Sequence, residues 1–279
     1  LMLHYYNVGN TFIETMATIS STPIVTLIKA VAENTTTPAV MFYLNNFVNM
    51  NEKTLLGVFA ELSRNITLFI TDSNVSTALS KDKVITPDDL ERGHDIFINI
   101  PESRLRQWKG MLTLIVSQFL RHFENRPDKN NSPILFLLDE FARLGKLEGI
   151  TDGLATLRSK KITICPIIQD LAQLDYIYGT TARQVIVGTC QYQVIFNVTD
   201  GDSQKYFSEL LGKYKEIKIS KTQNFDITNL STGASTHTNT EDRPRLESWD
   251  FYTLPDIVLL TPYGFCRIDK DPYYKYKKV

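Results

Sequence analysis

Residues 134–140 read Ile-Leu-Phe-Leu-Leu-Asp-Glu, and this run constrains the fold more than any other stretch of the chain. Its five consecutive apolar residues are typical of a strand that is buried on both faces of a parallel sheet. Asp139 and Glu140 would then stand at the carboxyl end of that strand, the edge where open α/β sheets bind ligands. We therefore predict a ligand site at this edge. The alternative is that the two acids only cap the following helix.

The overall composition is that of an ordinary globular protein. The 279 residues are 43% hydrophobic and 22% charged, with a formal net charge of −1, enough for one large α/β domain or a medium domain with an appendage. The balanced charge does not indicate nucleic-acid binding, so any such contact would need local patches or assembly. No apolar run approaches the roughly 20 residues that cross a bilayer, and we expect these residues to be soluble. The three cysteines lack the spacing of a disulfide framework or a metal site.

The hydrophobic pattern divides the chain into a helical first part and a mixed second part. Residues 12–33 and 39–62 carry apolar residues at spacings of three and four, with breaks at Pro23 and Pro38, which predicts a small all-α unit over residues 1–66. Strands are predicted at 95–100, 134–138, 162–168 and 191–198, with helices at 103–125 and 147–160 between them. This alternation predicts an α/β fold with a mainly parallel sheet and helices on both faces. Residues 224–242 predict a mobile loop or a hairpin extension, and residues 262–264 a turn between two short strands.

Four polar residues are candidates for phosphoryl-transfer chemistry. Asp139 could bind Mg²⁺ and its water shell, and Glu140 could orient the attacking water. Gln169 follows the next strand and could bond the γ-phosphate or that water, although a helix cap is the simpler explanation for the neighbouring Asp170. Arg158 lies near the end of a helix. It either complements the helix dipole or acts as an arginine finger in a neighbouring subunit.

The phosphate-binding half of such a site is missing from this sequence. The pattern Gly-x-x-x-x-Gly-Lys-Ser/Thr occurs nowhere, because Gly145-Lys146 is followed by Leu147 and Gly212-Lys213 by Tyr214, without the earlier glycine. Without that loop the chain should bind nucleotide weakly or not at all. We expect either that the loop lies upstream of residue 1, or that the protein is not an NTPase.

Several motifs taken together resemble one protein family. They are ILFLLDEFARLGKL at 134–147, LATLR at 154–158, IIQDLAQL at 167–174 and FNVTDGDS at 196–203. In order and spacing they are similar to the TraG-like coupling proteins of type IV secretion, the RecA-fold ATPases of bacterial conjugation. The resemblance covers about residues 66–279.

The resemblance implies an organisation and a set of roles. Residues 67–279 would be the second half of a RecA-like nucleotide-binding domain with a C-terminal hairpin and tail, and residues 1–66 part of an all-α domain. Asp139 and Glu140 would form the Walker B pair, with Asp139 as the Mg²⁺ ligand. Gln169 would sense the γ-phosphate of ATP, and Arg158 would act in trans.

The family also implies partners and a cellular location. The full protein would be a hexamer at the cytoplasmic face of the bacterial inner membrane, anchored by segments outside this sequence. It would use ATP and Mg²⁺ to bring relaxase-bound single-stranded DNA to a type IV secretion channel. Two alternatives stay open: a non-catalytic module that binds cargo or partner subunits without a P-loop, and a related motor for double-stranded DNA.

Overall fold

The computed structural model describes residues 1–80, 85–128, 132–225 and 231–275. Its contacts divide the chain into two compact units, residues 1–125 and residues 126–279. The boundary that the sequence predicted after residue 66 falls inside a continuous helix, Glu52–Thr71. The assignment of residues 1–66 to an all-α domain of a longer protein stays a prediction.

Within its described residues, the regular elements of the first unit are all helices. Its helices are α1 (Met2–Asn7), α2 (Phe12–Ser21), α3 (Ile24–Asn34), α4 (Pro38–Val48), α5 (Glu52–Thr71), α6 (Ser73–Leu79), α7 (Pro87–Glu91) and α8 (Glu102–Glu124). The breaks fall where the sequence places them: Pro23 is the N-cap residue of α3, and Pro38 is the first residue of α4. Proline fits a first turn because that position needs no backbone donor. The helical predictions for this part of the chain are confirmed.

The helices of the first unit bury a stripe of aliphatic side chains. The cluster is formed by Met16, Ile19, Ile24, Leu27, Ile28, Val31, Val40, Leu44, Leu55 and Ile66. These residues recur at helical spacing, so each helix turns one apolar face inward. The burial of these faces, rather than helix propensity, supplies most of the stability of short helices.

A buried carboxylate ties α6 to α8. Asp72 is 6% exposed, and its Oδ1 accepts the backbone N–H groups of Asn74 (3.0 Å) and Val75 (3.3 Å) at the start of α6. Its Oδ2 accepts the indole N–H of Trp108 at 3.0 Å and lies 3.5 Å from the guanidinium of Arg104. Burial alone would raise the pKa of Asp72, but these hydrogen bonds and the arginine charge together hold that pKa below its ordinary value.

We expect Asp72→Asn to lower the unfolding temperature at pH 7. The unfolding temperature of the variant should also change less than that of the wild type as the pH is lowered. A group with a depressed folded pKa contributes stability above its unfolded pKa, and this stability is lost as the pH falls through the folded pKa. The wild-type and variant melting curves should therefore approach each other below the ordinary value of 3.8. Asp202→Asn is the control, since that side chain is 96% exposed. A pH-independent difference between Asp72→Asn and the wild type would contradict the assignment.

The second unit alternates strands and helices up to residue 211 and continues with four strands. Its elements are β1 (Ile134–Leu138), α9 (Ile150–Thr156), β2 (Ile162–Pro166), α10 (Leu171–Tyr178), α11 (Thr180–Thr189), β3 (Gln193–Ile195), α12 (Gly201–Leu211), β4 (Lys213–Phe225), β5 (Ser231–Pro244), β6 (Ile257–Thr261) and β7 (Gly264–Ile268). Short 3₁₀ helices occur at Phe141–Leu144, Leu157–Lys160, Ser248–Thr253 and Tyr273–Lys275.

The described strands form three sheets. β1 and β2 pair in parallel, from Ile134 opposite Ile162 to Leu138 opposite Pro166. β3, β6 and β7 form an antiparallel sheet in that order, and β4 and β5 form a long hairpin. The predicted turn at residues 262–264 joins β6 and β7, and the hairpin alternative for residues 224–242 is confirmed. Residues 226–230 and the end of the tail, 276–279, lie outside the described residues.

Three strand predictions need correction. The predicted strand at residues 95–100 is absent from the described part of the chain, and Phe97 there is 89% exposed. The last predicted strand shortens to β3, which pairs antiparallel with β6 rather than in parallel. β1 is not buried on both faces, since Leu135 and Leu137 are each 60% exposed. The backbone groups of a strand need a hydrogen-bonding partner, and an apolar pattern alone does not determine which segment that partner is.

Candidate functional site

The two carboxylates and Gln169 lie at the same edge of the parallel pair. Beyond the last register pair, the N–H of Ile167 donates to the carbonyl of Leu138 at 3.0 Å, and the N–H of Phe141 donates to the carbonyl of Ile167 at 2.9 Å. These bonds hold the residue after Glu140 against the segment that leads into Gln169. The structure thus places the acids at the carboxyl end of β1, beside the carboxyl end of β2, as the sequence predicted.

Glu140 has an unusual backbone conformation. Its φ of 49° and ψ of 45° are left-handed, and among the described non-glycine residues only Lys161 shares a positive φ. For an L-residue this conformation costs roughly 1–2 kcal/mol, and such strain concentrates at functional sites. Glu140 Oε2 lies 2.9 Å from Nε of Arg143, and Oδ1 of Asp139 accepts the Glu140 N–H at 3.0 Å. Both acidic residues are exposed.

Gln169 and Asp170 make different contacts at the start of α10. Oδ1 of Asp170 accepts the N–H of Gln173 at 2.8 Å and so caps the helix, which confirms the capping alternative for this residue. The Gln173 amide donates to Oε1 of Gln169 at 3.2 Å. Gln169 is exposed beside the acids, so its side chain can reach a ligand at the edge.

Arg158 stands apart from the other three candidates. It is exposed, within the 3₁₀ helix that precedes β2, and therefore lies at the amino end of the strands. The five residues of β2 at about 3.3 Å each separate it by roughly 16 Å along the sheet from the edge with the acids. The structure does not bring Arg158 to the acids of its own chain.

Tyr178 fixes the loop that follows the two acids, and the sequence reasoning assigned it no role. Its hydroxyl donates to the carbonyl of Gly145 at 3.1 Å and accepts the N–H of Leu147 at 3.2 Å. Its ring stacks on the fully buried Phe141, with centroids 5.8 Å apart. Burial raises the pKa of Tyr178. The available signal was a tyrosine at the end of a helix, which by itself does not indicate a distant backbone partner.

We expect Tyr178→Phe to lower the free energy of unfolding by about 1–3 kcal/mol, because it leaves a backbone donor and acceptor without their partner. Tyr176→Phe is the matched control, since Tyr176 lies on the same helix and is 93% exposed. Chemical denaturation of both variants measures the effect. Equal stability of the two variants would show that the Tyr178 hydroxyl does not hold the loop.

A second anchor fixes the start of α10. Oγ of Ser203 accepts the N–H of Leu171 at 3.1 Å and donates to Oδ2 of Asp200 at 2.7 Å. Asp200 also caps α12 through the N–H of Ser203 at 2.8 Å. Because Leu171 is two residues after Gln169, this contact fixes the segment that carries Gln169. Hydrogen bonding to the ionised form lowers the pKa of Asp200.

The edge supplies only part of a Mg²⁺-nucleotide site. Carboxylate oxygens are ligands that Mg²⁺ prefers, and Mg²⁺ commonly keeps water and substrate phosphates as its other ligands. Asp139 fits such a role. Within the described residues, no three His, Cys, Asp or Glu side chains cluster in a way that could hold a metal. This sequence contains no P-loop motif that would bind the phosphates. The residues present therefore fit the binding of the metal ion and the attacking water.

No helix in the described ranges is both long and apolar enough to span a membrane.

Comparison with known proteins identifies relatives by sequence. The sequence model of the family described as Type IV secretory system Conjugative DNA transfer matches residues 12–279. The conjugal transfer protein TraG of Agrobacterium fabrum is 30% identical over 188 residues, which is 67% of this chain and 27% of TraG. Protein VirD4 of the same organism is 31% identical over 130 residues, 47% of this chain and 18% of VirD4. The chain therefore spans about a quarter of the length of TraG.

Solved structures show the same fold. The bacterial conjugative coupling protein TrwBΔN70, in its unbound form, matches with a TM-score of 0.71 and 16% identity, over 96% of this chain and 59% of that chain. TrwB in complex with the ATP analogue ADPNP matches with a TM-score of 0.69 and 15% identity, over 96% and 59% of the two chains. The predicted α/β, RecA-like P-loop NTPase fold is confirmed. The expectation of a mainly parallel sheet is not met in the described residues, where only β1 and β2 pair in parallel. The chain therefore belongs to the family described as Type IV secretory system Conjugative DNA transfer.

Proposed function

We propose that the chain is the C-terminal cytoplasmic portion of a conjugative coupling ATPase, which hydrolyses ATP at subunit interfaces to drive DNA transfer. One observation carries this proposal. The parallel pair of β1 and β2 holds Asp139, Glu140 and Gln169 at one edge, with Glu140 in a left-handed conformation.

Each residue at this edge has a task that its position permits. Asp139 would hold Mg²⁺, which would neutralise charge on the phosphates, and Glu140 would orient and deprotonate the attacking water. Gln169 would donate its amide to the γ-phosphate or that water. TrwB has been solved with ADPNP and with ADP and Mg²⁺, which supports the same nucleotide and metal here.

Arg158 supports a catalytic unit of more than one chain. It is exposed at the end of the strands away from the acids, so it would act on the γ-phosphate held by a neighbouring subunit. A ring in which each subunit supplies an arginine to the next is a heterologous, closed assembly. We propose a hexamer at the cytoplasmic face of the bacterial inner membrane. It would be anchored by segments outside this sequence and would pass relaxase-bound single-stranded DNA to the secretion channel.

The test is ATP hydrolysis by the complete coupling protein, with its phosphate-binding loop, in the presence of different DNA substrates. We expect single-stranded DNA to raise the hydrolysis rate and double-stranded DNA to raise it less. Stimulation by double-stranded DNA alone would favour the related double-stranded DNA motor. A complete protein that hydrolyses no ATP with either DNA would contradict the proposal.

A groove in the first unit favours a second candidate function, a module that binds cargo or partner subunits without catalysis. The groove has a cavity volume of about 220 Å³ and is lined by residues of α3, α4 and α5 and by Leu1 and Leu3. Its rim includes Tyr43, which is 71% exposed, and Val58, which is 46% exposed. Exposed apolar surfaces of this kind mark protein interaction sites. Calorimetric titration separates the candidates: tight ATP binding by residues 1–279 alone would exclude a purely non-catalytic module, whereas relaxase binding without ATP would favour it.

A further inference from the structure

We propose that Arg143 is a positioning residue for Glu140, holding its carboxylate in the orientation in which it meets the attacking water. This inference rests on the proposed ATPase function. The contact that carries it joins Nε of Arg143 to Oε2 of Glu140 at 2.9 Å.

The backbone of Glu140 is fixed on both sides, which leaves its side chain as the part that needs orienting. Its N–H donates to Asp139 at 3.0 Å, and its carbonyl accepts the N–H of Arg143 at 2.7 Å. The next residue, Phe141, is fully buried and stacks on Tyr178. The left-handed backbone at Glu140 therefore sets the direction in which its side chain leaves the backbone. The contact with Arg143 then fixes the position of the carboxylate.

The pair contributes little to stability, and its geometry is compatible with a positioning role. Both side chains are 43% exposed, and exposed ion pairs contribute only about 0–1 kcal/mol. An ionised carboxylate can accept about four hydrogen bonds, so the contact with Arg143 leaves capacity for a water molecule. A planar guanidinium fixes a carboxylate in one plane better than an ammonium does. Catalysis is sensitive to such placement, because a shift of about 1 Å can cost 10²-fold in rate.

The test measures ATP hydrolysis by the complete coupling protein with Arg143→Ala and Arg143→Lys. We expect Arg143→Ala to lower kcat about tenfold with an unchanged KM for ATP, because the loss falls on water placement rather than nucleotide binding. Arg143→Lys should recover part of this loss. Arg64→Ala is the matched control, because Arg64 on α5 forms an i,i+3 ion pair of the same kind with Glu61, at 2.8 Å. The Arg64→Ala protein should hydrolyse ATP at the wild-type rate.

A double variant separates this inference from the function on which it rests. In a Glu140→Gln background, Arg143→Ala should cause no further loss, because the group that it positions is already absent. Additive losses would overturn the positioning role, as would a wild-type kcat for Arg143→Ala or a raised KM with unchanged kcat. Normal hydrolysis by Glu140→Gln alone would instead overturn the proposed ATPase site.

Discussion

Glu140→Gln is expected to lower ATP hydrolysis by the complete coupling protein about 10²–10⁴-fold, the usual contribution of a positioned general base. Glutamine keeps the size and polarity of the side chain but cannot take a proton from water. The substitution also removes the negative charge that pairs with Arg143. ATP binding should persist, because the proposed role of Glu140 begins only when the water attacks. The measurements are steady-state hydrolysis and binding of a fluorescent ATP analogue.

Glu148→Gln is the control for this variant. Glu148 is an exposed carboxylate in the loop that follows the same strand, so it tests whether any loss of negative charge near the edge slows hydrolysis. We expect wild-type rates from Glu148→Gln. Equal losses from both variants would show that the effect is electrostatic and general, and that Glu140 is not the base.

Arg158→Ala is expected to lower hydrolysis about 10³-fold or more, which is the range for arginine fingers. The expectation follows from geometry, because an exposed arginine at the amino end of β2 has no route to the acids of its own chain. If Arg158 only complements a helix dipole, the variant should lose a few tenths of a kcal/mol of stability and keep its rate.

Mixing two inactive variants tests whether Arg158 acts in trans. A Glu140→Gln subunit still carries Arg158, and an Arg158→Ala subunit still carries Glu140. Interfaces that join the intact groups of the two variants should hydrolyse ATP, so the mixture should recover part of the wild-type rate. Subunit exchange verifies that mixed oligomers have formed. If these oligomers recover no hydrolysis, then either both residues act in the site of the same chain or Arg158 has no role in catalysis.

The sequence predicted the elements with strong local signals. The apolar run before Asp139 formed β1, the helical spacing around Pro23 formed α2 and α3, and the acids stand at the strand end as expected. Such features depend on neighbours within a few residues. The parallel pairing of β1 with β2 also followed from a pattern, since an intervening helix favours a parallel crossover.

The features that the sequence could not give depend on distant contacts. Residues 95–100 have the composition of a strand, but within the described residues they pair with no other segment, and Phe97 is exposed. The stacking of Tyr178 on Phe141 spans a large separation in sequence and leaves no local signal. The left-handed backbone of Glu140 is equally invisible, because glutamate does not favour that region. The site's edge was thus predictable, whereas the contacts that hold its side chains were not.

The most direct test of the central claim is conjugative transfer from a donor strain whose own coupling protein is replaced by the complete protein with Glu140→Gln. If the edge at β1 drives DNA transfer, the transfer frequency should fall to that of a strain without coupling protein, at equal protein level, while Glu148→Gln transfers normally. Wild-type transfer by Glu140→Gln would contradict the claim that these carboxylates power the export of DNA.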